Sequence, residues 1–136
     1  MSTYPTRPQS VRAIFGGIID PTHTEYRGVR FRSRLEADFA HHLDSIDVAW
    51  RYEPTMFGPS GNGYLPDFEV SLWDRPGYIE VKPLLRDVAL AQDRMAVIWE
   101  SYPDAVLIVA CAEECRYFAA DLGRPWTSWV ERWHHA

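Results

Sequence analysis

Tyr64-Leu-Pro-Asp-Phe-Glu-Val-Ser-Leu-Trp-Asp-Arg-Pro-Gly-Tyr-Ile-Glu-Val-Lys-Pro83 is the stretch that decides the fold. Two short apolar runs flank a turn signal, Asp74-Arg75-Pro76-Gly77. Along a strand, residues two apart share a face, so Glu80 and Lys82 emerge together while Ile79 and Val81 turn the other way. On the first run Phe68, Val70 and Leu72 share one face, and Leu65, Asp67 and Glu69 the other. Pairing the runs as a hairpin sets Asp67 beside Glu80. Two carboxylates with one ammonium make a ligand set for a hard divalent cation plus a charge stabiliser. Glu69, on the same face, is a secondary candidate for the site. Pro66 marks a bulge or an edge, where a ladder donor can be spared.

Lys82 is the only lysine in the chain; the other basic residues are thirteen arginines. Codon bias accounts for the rarity but not for the position. Lysine is a compact point charge with a movable pKa, whereas arginine is a delocalised fork that stays charged.

Outward from the hairpin, Val48-Ala-Trp-Arg-Tyr-Glu53 alternates and stops at Pro54, which predicts the first strand of the sheet. Thr55 to Gly63 reads as an exposed loop. Upstream, Ser33 is a good N-cap and Glu36 completes the capping-box spacing, so a helix is expected to about Ser45. Its apolar stripe is Leu35, Phe39, His42, Leu43 and Ile46. Glu36 has two readings: local cap chemistry, or a third carboxylate aimed at the hairpin. His42 falls on the stripe as a packing residue, and His41 is expected to face water. Downstream of Pro83 a second helix is expected from about Arg86 to Tyr102, with Val88, Ala91, Met95, Ile98, Trp99 and Tyr102 inward. Gln92 and Arg94 lie off that stripe. Ala105 to Cys111 is a continuous apolar run of strand length, the pattern of a strand buried on both faces. Strand, helix, strand implies a crossover. From Pro125, Trp126, Trp129, Val130 and Trp133 recur at helical spacing and predict an amphipathic C-terminal helix whose aromatic face needs a cover.

The chain has 136 residues, 46% apolar and 24% charged, which fits one domain with one sizeable core. It divides into an arm over residues 1–25, a core over 26–112, and a Trp-rich helical extension of the same domain over 113–136. Neither a membrane-length apolar run nor a signal-peptide core is visible, so a cytoplasmic location and no membrane partner are expected. Cys111 and Cys115 lack a second soft-ligand pair and are expected to be reduced. Net charge is −5, but unevenly spread. Residues 1–35 hold six arginines against two acids, and the remainder eight basic residues against seventeen acids. Arg27, Arg30, Arg32 and Arg34 crowd the start of the first helix. They read either as phosphate contacts or as a solvated helix start.

Helix, three strands, helix, strand, with Glu36, then Pro66-Asp67, then Glu80-Val81-Lys82, resembles the PD-(D/E)XK nuclease superfamily over residues 26–110. Tyr26 to Glu36, Tyr52-Glu-Pro54, Tyr64 to Phe68 and Tyr78 to Pro83 further resemble small phage-type nucleases and the end-cleaving endonuclease subunit of heteromeric transposases. The resemblance implies a restriction-endonuclease-like α/β fold: a mixed sheet flanked by helices. It implies Mg²⁺ (or Mn²⁺) on Asp67, Glu80 and the Val81 backbone carbonyl, with Glu36 direct or through water. Lys82 would position water or stabilise the transition state, and Gln92 would be a supporting polar residue. It implies hydrolysis of DNA, duplex or branched, in a bacterial or phage-infected cell. The alternative is a catalytically silent nucleic-acid-binding or assembly module of the same fold. With an acidic remainder and no recognition helix, modest affinity and weak sequence specificity are expected. A homodimer or a targeting partner, docked on the tryptophan face, would extend the surface.

Overall fold

The computed structural model describes residues 23–58, 63–72, 74–121 and 126–132. The Val11–Ile19 patch with most of the arm, the loop centre at 59–62, Trp73 and Trp133 lie outside the described residues.

The chain is mixed α/β. Strands β1 (Thr24–Tyr26) and β2 (Val29–Phe31) pair antiparallel as a hairpin, Tyr26 opposite Val29. Arg27 (φ 52°) and Gly28 (φ 80°) form its two-residue turn, and two positive φ values match the right-handed strand twist. Helix α1 (Arg34–Ser45) follows. The Ser33 side chain accepts from the Glu36 N–H at 3.1 Å, as the capping pattern predicts. The Glu36 carboxylate, however, accepts from the Tyr52 hydroxyl. Leu35, Phe39, His42 and Leu43 are buried on the expected stripe, and His41 is half-buried. Ile46 is 43% exposed, because the helix ends at Ser45 and the chain turns away through Asp47 at φ 63°.

Strands β3 (Trp50–Tyr52), β4 (Phe68–Leu72), β5 (Arg75–Lys82), β6 (Val106–Cys111), β7 (Arg116–Asp121) and β8 (Thr127–Arg132) form one sheet in that order. The pairing of β5 with β6 is parallel and the others are antiparallel. Leu72 pairs with Arg75, so the β4–β5 turn is tighter and earlier than predicted, with Asp74 at φ 62°. Pro76 and Gly77, read as turn residues, lie inside β5.

The crossover from β5 to β6 is a 3-10 turn (Leu85–Asp87), helix α2 (Val88–Met95) and a short α3 (Ile98–Ser101), rather than one helix to Tyr102. Around the adjacent β-branched Val97 and Ile98 the backbone tightens: the N–H groups of Val97, Trp99 and Glu100 bond three residues back. Tyr102, placed on the inward stripe, is 44% exposed.

Helices cover both faces of the sheet. On one, Phe39, Ala40 and Leu43 of α1 pack with Phe68, Val70, Ile79, Val81 and Ile108. On the other, Val88, Ala91, Met95 and Ile98 pack with Tyr78, Leu107 and Val109. Every residue of β6 is buried, as its unbroken apolar run requires. Each fully buried Val, Leu, Ile or Phe contributes about 1.5–3 kcal/mol, so β6 and its two covers dominate the core.

The C-terminal helix is not formed. Residues 127–132 are strand β8, and Tyr117 pairs with Trp129 across β7. Trp126 packs at 6.4 Å from Trp99. Thr127, Trp129 and Val130 are good strand formers, and the open edge of β7 supplies ladder partners that helical spacing cannot reveal. Among the described residues no helix is long and apolar enough to cross a membrane. Cys111 and Cys115 are not joined in a disulfide.

Candidate functional site

The β4–β5 register decides the site. Phe68 is opposite Ile79, so one step outward Asp67 is opposite Glu80. The Val81 N–H donates to Asp67 Oδ2 at 2.8 Å, fixing that carboxylate against β5. In an antiparallel strand the N–H and C=O of one residue point to the same side. The Val81 carbonyl therefore faces the same way, toward the segment before β4, where the buried Pro66 brings no N–H. The far end of β5 is pinned: the Ala112 N–H donates to the Lys82 carbonyl at 2.9 Å, and the Glu113 N–H to the Pro83 carbonyl at 3.0 Å.

Asp67 and Glu80 are 8% and 9% exposed. Glu80 receives the Tyr64 hydroxyl on Oε1, and Lys82 Nζ stands 3.3 Å from Oε2. Glu36 enters from α1, with the Tyr52 hydroxyl donating to its Oε1 at 2.6 Å. Burial, then the charges of Glu80 and Glu36, push the Asp67 carboxyl well above the ordinary carboxylate range. Burial, and after it the neighbouring acids Glu53 and Glu80, also raises Glu36 against the hydrogen bond from Tyr52. Tyr64 is pushed up by burial and by Glu80, so it remains a hydroxyl donor. Three acids thus share a small volume.

These groups line a cleft of about 720 Å³ at the carboxyl end of β5. Glu36, Asp67 and Glu80 share it with Tyr64, Leu65, Glu53, Arg32, Asp93 and Arg94. Lys82 is not among the lining residues and meets the site through Glu80. Glu69 is elsewhere: Arg51 Nη1 donates to its Oε1 and the Tyr78 hydroxyl to its Oε2, both at 3.0 Å. From α2 the cleft receives Asp93 and Arg94, not Gln92. Of the four clustered arginines only Arg32 lines it. Arg27 pairs with Asp44 at 3.0 Å, Arg30 Nη2 lies 3.0 Å from His23 Nδ1, and Arg34 is exposed at the start of α1.

Sequence reasoning missed Tyr64, Glu53 and Arg94. Tyr64 carried a signal, since it opens the Tyr64-Leu-Pro-Asp67 run three residues before Asp67. Glu53 and Arg94 carried none, because their approach depends on the β3–β4 connection and on how α2 is set on the sheet.

The residues fit a hard dication in donor type. All side-chain donors are carboxylate oxygens, desolvated and mutually repelling, with a backbone carbonyl aimed alongside. Among the described residues no three His, Cys, Asp or Glu side chains are already arranged to hold a metal ion. Magnesium keeps several waters and is bound through one or two carboxylates. No family model, curated protein or solved structure matches this chain.

Proposed function

We propose that the protein is a metal-dependent nuclease that hydrolyses phosphodiester bonds of DNA, on a restriction-endonuclease-like fold of the PD-(D/E)XK type. One observation carries the reading: Asp67, just before β4, and Glu80, on β5, are buried acids that press on each other, with the only lysine of the chain beside Glu80. Burying like charges together costs stability, and no packing need explains it.

In this reading Asp67, Glu80 and the Val81 carbonyl would hold Mg²⁺ or Mn²⁺, with Glu36 as a further acid of the same cleft. The cation supplies Lewis-acid polarisation of the phosphate and a lowered pKa for a bound water. Tyr64 and the Val81 N–H orient the two carboxylates, so that their remaining lone pairs face the cleft. Lys82 brings a positive charge to the phosphate as negative charge develops on it, which is electrostatic stabilisation of the transition state. Glu36, with its raised proton affinity, accepts or returns a proton at the cleft wall.

A second reading keeps the fold and removes the chemistry: a silent nucleic-acid-binding or assembly module. It has an observation in its favour, since both oxygens of Glu80 already have partners, Tyr64 and Lys82. Cleavage of linear, nicked, flapped and four-way DNA in Mg²⁺ against EDTA separates the two. The nuclease reading expects metal-dependent products, and a loss of about 10³-fold or more in Asp67→Ala and Lys82→Ala. No cutting of any substrate by the wild type, in Mg²⁺ or Mn²⁺, leaves the silent module.

A further inference from the structure

Five acids line the cleft: Glu36, Glu53, Asp67, Glu80 and Asp93. Among the side chains that line it, a polyanion meets positive charge only at Arg32 and Arg94, with Lys82 set behind Glu80. They come from different walls. Arg32 lies just before α1, which covers one face of the sheet; Arg94 lies on α2, which covers the other. Asp67 and Glu80, at the sheet, lie between those walls.

Arg32 already holds an oxyanion. Its Nε stands 2.7 Å from Glu53 Oε2, and the Arg32 side chain is 67% exposed. A guanidinium offers five donors in a fork that suits carboxylate and phosphate alike. The carboxylate is placed with care. Glu53 has φ 46°, a left-handed backbone unusual for Glu, and its N–H donates to the Asp67 carbonyl at 2.7 Å. The preceding residue, Tyr52, takes the Arg32 N–H on its hydroxyl at 3.1 Å and donates to Glu36. Residues 52 and 53 therefore tie Arg32 to the strand end that carries Asp67.

We propose that Arg32 and Arg94 form a two-walled clamp for the nucleic-acid backbone phosphates either side of the one at Asp67 and Glu80, and that Glu53 occupies Arg32 until a phosphate displaces it. The proposal rests on the nuclease reading for the position of the reacting phosphate. Arg94 grips the strand directly. Glu53 acts as an internal competitor that weakens binding while keeping the Arg32 fork oriented.

The test measures steady-state cleavage of a labelled duplex in Mg²⁺, and duplex binding by fluorescence anisotropy in EDTA across a salt series. The variants are Arg94→Ala, Arg94→Lys, Arg32→Ala and Glu53→Gln. Arg86→Ala, an exposed arginine outside the cleft, is the control for loss of one charge. Thermal melts confirm folding. Arg94→Ala and Arg32→Ala are expected to raise KM about tenfold with kcat within about threefold. Each should also lower the salt slope of binding by about one, and Arg94→Lys should restore much of that slope. Glu53→Gln is expected to tighten binding about threefold. The clamp is overturned if Arg94→Ala and Arg32→Ala behave like Arg86→Ala, or if Glu53→Gln leaves binding unchanged or weaker while its melting is normal. If the wild type binds but never cuts, the nuclease reading fails and the binding series alone decides the clamp. If it neither cuts nor binds, both fall.

Discussion

Asp67 and Glu69 sit two residues apart on one face of one segment, yet their surroundings differ in kind. Glu69 borders an outer groove with Arg51, Ser71 and Pro76. Arg51 and Tyr78 answer its two oxygens, and both Arg51 and Glu69 reach water. Such a surface pair is worth about 0–1 kcal/mol. Asp67 is buried in the cleft beside Glu80 and Glu36, and its proton affinity is raised by burial and by those acids. Acids met by an arginine are ordinary surface chemistry. Acids buried against acids cost stability, and a protein retains that arrangement where a ligand of opposite charge relieves it.

The sharpest way to break this contrast is at Lys82. Lys82→Arg keeps the charge and changes its shape and hydration. It is expected to fold normally and to lose about 10²-fold in kcat. Near wild-type turnover would mean that any positive charge next to Glu80 suffices. Next is Tyr64→Phe, which removes the hydroxyl donor from Glu80. A kcat loss of about tenfold is expected, with the melting temperature little changed; an unchanged kcat would show that Lys82 alone orients the carboxylate. The smallest effect belongs to Glu69→Gln. Cleavage should stay within about twofold while the melting temperature falls by about 1–3 °C. A large loss of activity there would erase the distinction between the two regions.

The legible parts of the site were those fixed by strand geometry. Glu80 and Lys82 share a face because the period of a strand is two, and Asp67 meets Glu80 because the hairpin register is pinned by Phe68 and Ile79. Glu36 could be read as either a cap or a site acid. In the structure its N–H is capped by Ser33 while the residue lines the cleft. Gln92 and Arg94 could not be ranked from sequence. Residues two apart on a helix point about 160° from each other, so the choice depends on how α2 is rotated on the sheet. The C-terminal segment misled because Trp126, Trp129, Val130 and Trp133 fit helical spacing while their types favour a strand. The free edge of β7 settled it, and an edge is a property of the assembled sheet.

The acid cluster also sets a pH dependence. Asp67 and Glu36 bind protons more tightly folded than unfolded. Their favourable contribution is complete below the ordinary carboxylate pKa of about 4 and is lost as pH rises through the raised folded values. Metal-free protein should therefore lose stability as pH rises above about 4, and Asp67→Asn should flatten that loss.

The most direct test is thermal melting at about pH 8 of the wild type and Asp67→Asn, each with EDTA and with about 10 mM Mg²⁺. Asn keeps an acceptor for the Val81 N–H and removes the charge. Without metal, Asp67→Asn should melt about 3–5 °C above the wild type. With Mg²⁺ the wild type should gain about 3–5 °C and the variant less than about 1 °C. A variant no more stable than the wild type in EDTA, or one that gains as much from Mg²⁺, would contradict the account.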